Sequence, residues 1–281
     1  MVKKGKTSID YMAIHHSDMP ELPEVETFRR YIEQTSLERP IIRARVKNPI
    51  IIKGANEREL IDAMEGGEFL SARRHGKQLF LELSGGKWLT WHFGMTGKPV
   101  CFDSMVEEPR HNRFLFTFED GFLAFNDPRL FGRIGIIDSP EKFIRHKGLG
   151  PDALSMTEGQ FIDIFGKSRG VAKNALMDQH KLAGVGNIYS DEILFQCHLA
   201  PHADIQSLEW RDLRHIYQTM SMVLSESIRA GAKFSRLPPS YLLHHRRKGA
   251  TCPLCSRTLE RRTIGGRTAY FCTDCQDSRG K

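Results

Sequence analysis

The spacing of apolar positions divides the chain into three kinds of segment. From Glu21 to Gln34, Val25, Phe28, Ile32 and the neighbouring Tyr31 share one face at helical spacing, which predicts an amphipathic helix. Pro20 and Pro23 stand at its start, where proline is tolerated. From about 40 to 137 the pattern is that of strands. Ile41, Ile42, Val46 and Ile50–Ile52 are β-branched, and Gln78–Leu83 and Trp88–Phe93 flank the turn sequence Ser84-Gly85-Gly86-Lys87. Phe114, Phe116 and Phe118 alternate strictly before Glu119-Asp120-Gly121 turns the chain into Phe122–Phe125. Alternation of this kind puts one row of phenylalanines into a core between two sheets.

Lys147-Gly148-Leu149-Gly150-Pro151 reads as a linker. Beyond it the period becomes helical over Thr157–Lys167, Ala172–His180, Ile188–Gln196 and Ser207–Ala230. Residues 1–18 are polar without clear periodicity and read as an extension outside the fold. The expectation is an α+β chain in four parts. These are the extension (1–18), a helix plus β-sandwich domain (19–146), a helical domain (147–248) and a small C-terminal module (249–281).

Charge and cysteine usage narrow the partners. The formal net charge of +7 suits a polyanion such as nucleic acid, although basic proteins without such partners are common. No apolar run reaches the roughly 18 residues of a membrane span, and the N-terminus lacks the apolar core of a secretory signal. A cytoplasmic location is therefore expected, where six cysteines argue for a metal site and against a disulfide framework.

Cys252-Pro-Leu-Cys255 and Cys272-Thr-Asp-Cys275 form two CxxC knuckles with room for a hairpin between them. Four thiolates at this spacing suit one tetrahedral Zn²⁺, and a set with no open position makes that zinc structural. Cys101 and Cys197 read as ordinary buried thiols. Between the knuckles, Arg261-Arg262-Thr263-Ile264-Gly265-Gly266-Arg267-Thr268 places arginines around a glycine turn, either a phosphate-reaching tip or a solvated basic loop. Gly184-Val185-Gly186-Asn187 lies between two predicted helices. Asn187 is placed to cap the second, and free amides there would make a phosphate seat; a plain interhelical turn is the blander reading.

Met19-Pro20-Glu21-Leu22-Pro23-Glu24-Val25-Glu26-Thr27 resembles the N-terminus of the formamidopyrimidine-DNA glycosylase (Fpg/Nei) family of base-excision repair. Further segments resemble the same family in the same order: Arg74-His75-Gly76-Lys77, His92-Phe93-Gly94-Met95-Thr96-Gly97 and Asp127-Pro128-Arg129-Leu130-Phe131-Gly132. They are followed by Leu149-Gly150-Pro151-Asp152, Gly184-Val185-Gly186-Asn187-Ile188-Tyr189 and the four-cysteine module. Leu22, where the endonuclease VIII branch usually has glycine, favours the oxidised-purine branch. The resemblance implies a β-sandwich followed by a helix-two-turn-helix domain and a β-hairpin zinc finger. It also implies a monomer acting on double-stranded DNA that contains oxidised bases or abasic sites, through glycosylase and AP-lyase chemistry. The alternatives are an enzyme for oxidised pyrimidines and a non-catalytic binder of damaged DNA.

Residue roles carried by the resemblance follow the motifs. Pro20, as an N-terminal secondary amine, is the nucleophile; Glu21 is the acid that protonates the opening sugar; Glu24 orders the nucleophile's surroundings. Lys77, His92, Asn187 and Arg267 grip phosphates, and Met95, Arg129 and Phe131 fill the stack vacated by the extruded nucleotide. Read without the family, Pro20 is a helix-start proline, Lys77 a solvated lysine, Met95 and Phe131 core, Arg129 a surface ion pair, and Glu26 a first-turn acid on the helix dipole.

Two departures stand out. Pro20 follows nineteen residues, and an internal proline nitrogen is an amide that forms no iminium. Met19 directly before it leads us to expect a start at Met19, with methionine removal freeing the amine. The stretch Gly231–Gly249 is shorter than in typical members, with Pro238-Pro239-Ser240-Tyr241 a stiff substitute for the loop that covers the everted purine.

Overall fold

The computed structural model describes residues 19–277; the extension 1–18 lies outside the described residues. The first helix, α1 (Leu22–Thr35), starts where Glu24 accepts the N–H of Glu21 at 2.9 Å. It buries Val25, Phe28 and Ile32, as its sequence pattern requires. Two four-stranded antiparallel sheets follow. One has the order β1 (Arg43–Val46), β6 (Asn112–Phe118), β7 (Gly121–Asn126), β5 (Lys98–Phe102). The other has the order β2 (Phe69–His75), β3 (Gln78–Leu83), β4 (Trp88–His92), β8 (Arg133–Ile137). Phe114, Phe116 and Phe118 all enter the core between them, with Trp91 stacked on Phe93 and edge-on to Phe125. Ile50–Ile52 is not a strand: Asn48 caps a 3-10 turn over Pro49–Ile51, and only Ile51 of that turn is buried. Two short helices interrupt the strand-rich half, α2 (Glu57–Asp62) and α3 (Pro140–His146), the second ending at the linker.

The second core belongs to α4 (Glu158–Gly166), α5 (Ala172–Met177), α6 (Asn187–Gln196) and α7 (Trp210–Arg229). α5 stops short of His180 because Asp178 turns the chain out of helix, and α7 starts after a separate 3-10 turn at Ile205–Ser207. Leu22, the first residue of α1, is buried in this second core while Val25 is buried in the first. One helix therefore pins the two halves together at the turn where the glutamates lie. A buried ionic latch does the same from the β2–β3 turn. Arg74 donates to Asp152 through both terminal nitrogens and to Glu26 at 3.2 Å, Gly76 N–H donates to Asp152 at 2.6 Å, and His75 bonds the Gly150 carbonyl at 2.8 Å. Glu26 lies past the first turn of α1, where Glu24 is the only acid, and its partners are Arg29, Arg30 and Arg74. Burial pushes its carboxyl up, and hydrogen bonds from Arg29 and Arg30 with the charge of Arg74 bring it down to about 2.

The C-terminal module is the hairpin β9 (Glu260–Ile264) and β10 (Arg267–Phe271) between the two knuckles. Gly265 and Gly266 both have positive φ, 56° and 73°, as a two-residue turn matched to strand twist demands. The module's small core joins Leu259 and two cysteines to Phe195 of α6 and to Leu242. No helix among the described residues is long and apolar enough to cross a membrane.

Candidate functional site

Glu21 is the residue on which the halves converge. It precedes the first turn of α1, yet its carboxylate accepts N–H groups from the start of α6: Gly186 at 2.6 Å, Ile188 at 2.8 Å and Tyr189 at 3.4 Å. These are the orphan donors of a helix N-terminus, and an anion is their natural partner. The amides of the glycine turn are therefore not a free phosphate seat; Glu21 occupies them. Asn187 is also not the cap by its side chain. It is the first residue inside α6, Gly186 is the cap residue, and the Asn187 side-chain oxygen is buried without a hydrogen-bond partner among the described residues.

Position 186 is crowded by side-chain ends. A Cβ there would lie 2.2 Å from Lys77 Nζ and 2.5 Å from the Glu21 carboxyl carbon, so Lys77 and Glu21 meet over this backbone. Gly184 serves the same approach, since its carbonyl accepts Leu22 N–H at 3.2 Å and an added Cβ would strike Leu22. Pro20 is buried at the head of this arrangement. Glu24, one turn into α1, is 4% exposed and accepts the Tyr189 hydroxyl at 2.8 Å. Burial and the neighbouring charge of Glu21 push its carboxyl up to about 7, against the hydrogen bonds that favour its charge.

Sheet register supplies the basic side of the site. Gln78 pairs with His92, and His92 pairs with Arg133, so the β2–β3 turn carrying Lys77, the end of β4 and the start of β8 lie side by side. Burial lowers the Lys77 ammonium, with Glu21 and Glu24 opposing and Arg267 reinforcing. Arg267, on the exposed hairpin flank, is thus close enough for its charge to reach Lys77. Burial, then Lys77, Arg133 and Lys53, push His92 down to about 4. Gly94 N–H donates to His92 Nδ1 at 3.1 Å, which leaves Nε2 as the protonated nitrogen of a neutral ring.

The next two loops pack against each other. A Cβ at Gly94 would lie 2.4 Å from the backbone of Phe131 and Gly132, which places the Met95 loop directly on the Arg129–Phe131 loop. Fully buried Asp127 staples both, accepting from Thr96 Oγ1 at 2.9 Å, Gly132 N–H at 2.8 Å and Arg129 N–H at 3.3 Å. Phe131 is 49% exposed with the Arg129 guanidinium 5.1 Å from its ring centre. It is not core, and Arg129 lies over a ring. Met95 is half-buried.

The cysteine module is tied to the same helix. The four Sγ atoms of Cys252, Cys255, Cys272 and Cys275 lie within 4.8 Å of one another, with pairs at 3.8 Å and 3.5 Å. Thiolates on a tetrahedral Zn²⁺ are about 3.8 Å apart, so the set fits that ion. Asp191 on α6, buried and paired with Lys173, accepts from Arg246 at 3.0 Å and from Tyr270 N–H of β10 at 3.2 Å. Lys173 in turn donates to the Asn187 carbonyl at 3.0 Å. The turn tip packs on α5, where a Cβ at Gly265 would lie 2.1 Å from the Asn174 side chain. Sequence reasoning assigned no role to Tyr189, Asp127, Asp191 or the Arg74–Asp152 latch. The charged residues within quoted motifs were the available signal for Asp127, Arg74 and Asp152; Asp191 lies just past the motif that ends at Tyr189.

The Gly231–Gly249 stretch is a bound strap. Leu237, Tyr241, Leu242 and Leu243 are buried, Tyr241 donates to Glu226, and Glu192 accepts Leu243 N–H at 2.8 Å.

Family comparison adds the history of this geometry. Residues 19–134 match the model of the formamidopyrimidine-DNA glycosylase N-terminal domain, and residues 148–238 match that family's H2TH domain. The chain belongs to the formamidopyrimidine-DNA glycosylase family. A formamidopyrimidine-DNA glycosylase of Desulfitobacterium hafniense is 35% identical, over 92% of this chain and 100% of its own. The Lactococcus lactis enzyme, solved non-covalently bound to DNA containing an AP site, superposes with TM-score 0.84 at 27% identity over 92% of this chain and 99% of its own. A further family structure, in complex with carbocyclic 8-oxo-G containing DNA, gives TM-score 0.82 at 27% identity, covering 92% and 99%.

Proposed function

We propose that this chain is a DNA glycosylase/AP lyase of base-excision repair that removes oxidised purines, 8-oxoguanine and formamidopyrimidines, from duplex DNA. The observation that carries the reading is Glu21 held on the N-terminus of α6, against Lys77 and directly after Pro20. This places a carboxyl, a cation and the proline whose nitrogen becomes an amine when it stands at the chain terminus at one seam between two halves.

With its nitrogen at the chain terminus, Pro20 attacks C1′ of the damaged nucleotide. The nitrogen–C1′ bond forms, the glycosidic bond breaks with its electron pair leaving on the base, and the amine proton passes to the Glu21 carboxylate; the nitrogen lone pair then breaks the C1′–O4′ bond, which opens the sugar and gives an iminium. Glu21 gives a proton to the ring oxygen as the sugar opens. The iminium acidifies the C2′ proton, and elimination then expels the two flanking phosphates in turn. Lys77, neutral-ring His92, Asn187 and Arg267 hold the backbone, while Met95, Arg129 and Phe131 enter the vacated stack. The four cysteines hold a structural Zn²⁺, whose contribution is to fix the hairpin that carries Arg267. The reading divides the chain at 19–146, 147–248 and 249–281.

The test is borohydride trapping on a duplex carrying 8-oxoguanine opposite cytosine, with protein started at Met1 and at Met19. A covalent adduct from the Met19 form alone supports Pro20 as the nucleophile. No adduct from either form, on this lesion or a ring-opened purine, replaces the enzyme reading with that of a damage binder.

A further inference from the structure

Tyr189 touches both buried glutamates with its two ends. Its backbone N–H approaches Glu21 Oε2 at 3.4 Å, and its hydroxyl donates to Glu24 Oε1 at 2.8 Å. The residue is fully buried. A phenylalanine would fill the same core volume, so packing alone gives no reason for the hydroxyl. Burial, then Glu24, push the phenol's own ionisation well above its ordinary range, so it remains a donor. Glu24 Oε2 accepts the Glu21 N–H at 2.9 Å. Both oxygens of the carboxyl are thus met by donors.

We propose that Tyr189 is a positioning residue that holds Glu24 as a charged hydrogen-bond acceptor and ties the reacting end of α1 to α6. The role of Glu24 in the reaction rests on the proposed function; the hold on its carboxyl does not. The groups around Glu24 are known element by element. Glu21 from the same helix disfavours its charge, Lys77 from the β2–β3 turn interacts favourably with it, Tyr189 donates from α6, and Ser227 of α7 lies against the Tyr189 hydroxyl. Burial and Glu21 act in one direction, the Tyr189 hydroxyl in the other, and the carboxyl settles at about 7. Losing that donor shifts it toward the protonated form at neutral pH.

The test is a carbon-13 titration of glutamate carboxyls in the full chain, parent against Tyr189→Phe, with Glu24→Gln assigning the Glu24 signal. Glu192 is the internal control, since burial raises it to about 7 and its carboxyl accepts from Gln196 and Leu243 N–H, whereas the Tyr189 hydroxyl donates to Glu24. The expected result is that Glu24 moves up by about 1–2 pH units, the scale of one hydrogen bond to a charged group, while Glu192 stays. An unchanged Glu24 midpoint, or an equal shift of Glu192, overturns the inference. The pH profile of borohydride trapping separates this from the enzyme reading. Trapping with no shift of Glu24 sinks the inference alone. A shift of Glu24 in a protein that traps nothing sinks the enzyme reading and leaves the hold of Tyr189 on Glu24 standing.

Discussion

The cysteine module and the glutamate pocket are built on opposite plans. Two knuckles and one hairpin bring all four cysteines of the module together within a single short segment, and its sulfurs need no other part of the chain to find one another. The pocket joins residues as far as 168 positions apart, taking Glu21 and Glu24 from α1, Lys77 from a hairpin turn, His92 from a strand end and Tyr189 from α6. It exists only when two hydrophobic cores dock through Leu22 and the Arg74–Asp152 latch. Local chemistry is thus secured by ligand spacing and one turn, whereas distributed chemistry is secured by packing. The two should fail in different ways.

Metal removal should break the module first and most. Structural zinc in small modules is worth on the order of 10 kcal/mol of folding. Cys272→Ser or chelation should unfold 249–277 while the sandwich keeps its near-ultraviolet signal from Trp88 and Trp91. Because Arg267 leaves with the hairpin and Asp191 loses the Tyr270 N–H, trapping should fall by about 10³-fold or more. Retention of trapping would show that the module is not part of the DNA grip.

A single methyl group should break the pocket and spare the module. Gly186→Ala places its Cβ on Lys77 Nζ and the Glu21 carboxyl. The backbone there has φ −134°, which alanine adopts freely, so the effect is collision and not strain. Displacing these groups by about 1 Å should cost about 10²-fold in the rate of base excision, with zinc content unchanged. A variant with the parent rate would mean that Lys77 and Glu21 can part without consequence.

The same contrast explains what the sequence made legible. Alternating Phe114, Phe116 and Phe118 announced the sandwich because one face of a strand must be buried. The doubled CxxC announced the metal site because ligand geometry is encoded in spacing. Pro20, Glu21 and Glu24 could be pointed to only through resemblance, since two acids in a helix's first turn are ordinary. That Glu21 caps another helix, that Gly186 is pressed by Lys77, and that Tyr189 reaches Glu24 depend on docking between cores, which no local pattern records. The misjudged Ile50–Ile52 teaches the converse. Three β-branched residues in a row favour a strand, but Pro49 and the Asn48 cap made a turn cheaper.

Glu192 lies at the seam between the two plans and gives the mildest test of it. Its carboxyl holds Leu243 N–H and Gln196, anchoring the strap that leads from α7 to the cysteine module. Burial raises it from 4.5 to about 7. The folded state therefore binds this proton more tightly than the unfolded chain. The associated stability is fully present below about 4.5, is lost as pH rises toward 7, and stays lost above. Glu192→Gln keeps an acceptor for Leu243 and cannot ionise. It should match the parent near pH 4.5 and exceed it by about 1–3 kcal/mol at pH 8, with trapping changed by less than about threefold. Glu24 titrates in the same window in both proteins, so the difference between the two urea-midpoint curves isolates Glu192. A variant less stable than the parent at pH 8 would mean that the strap needs the charge itself, held by Arg246 nearby, and that the seam is ionic like the latch and not a neutral joint.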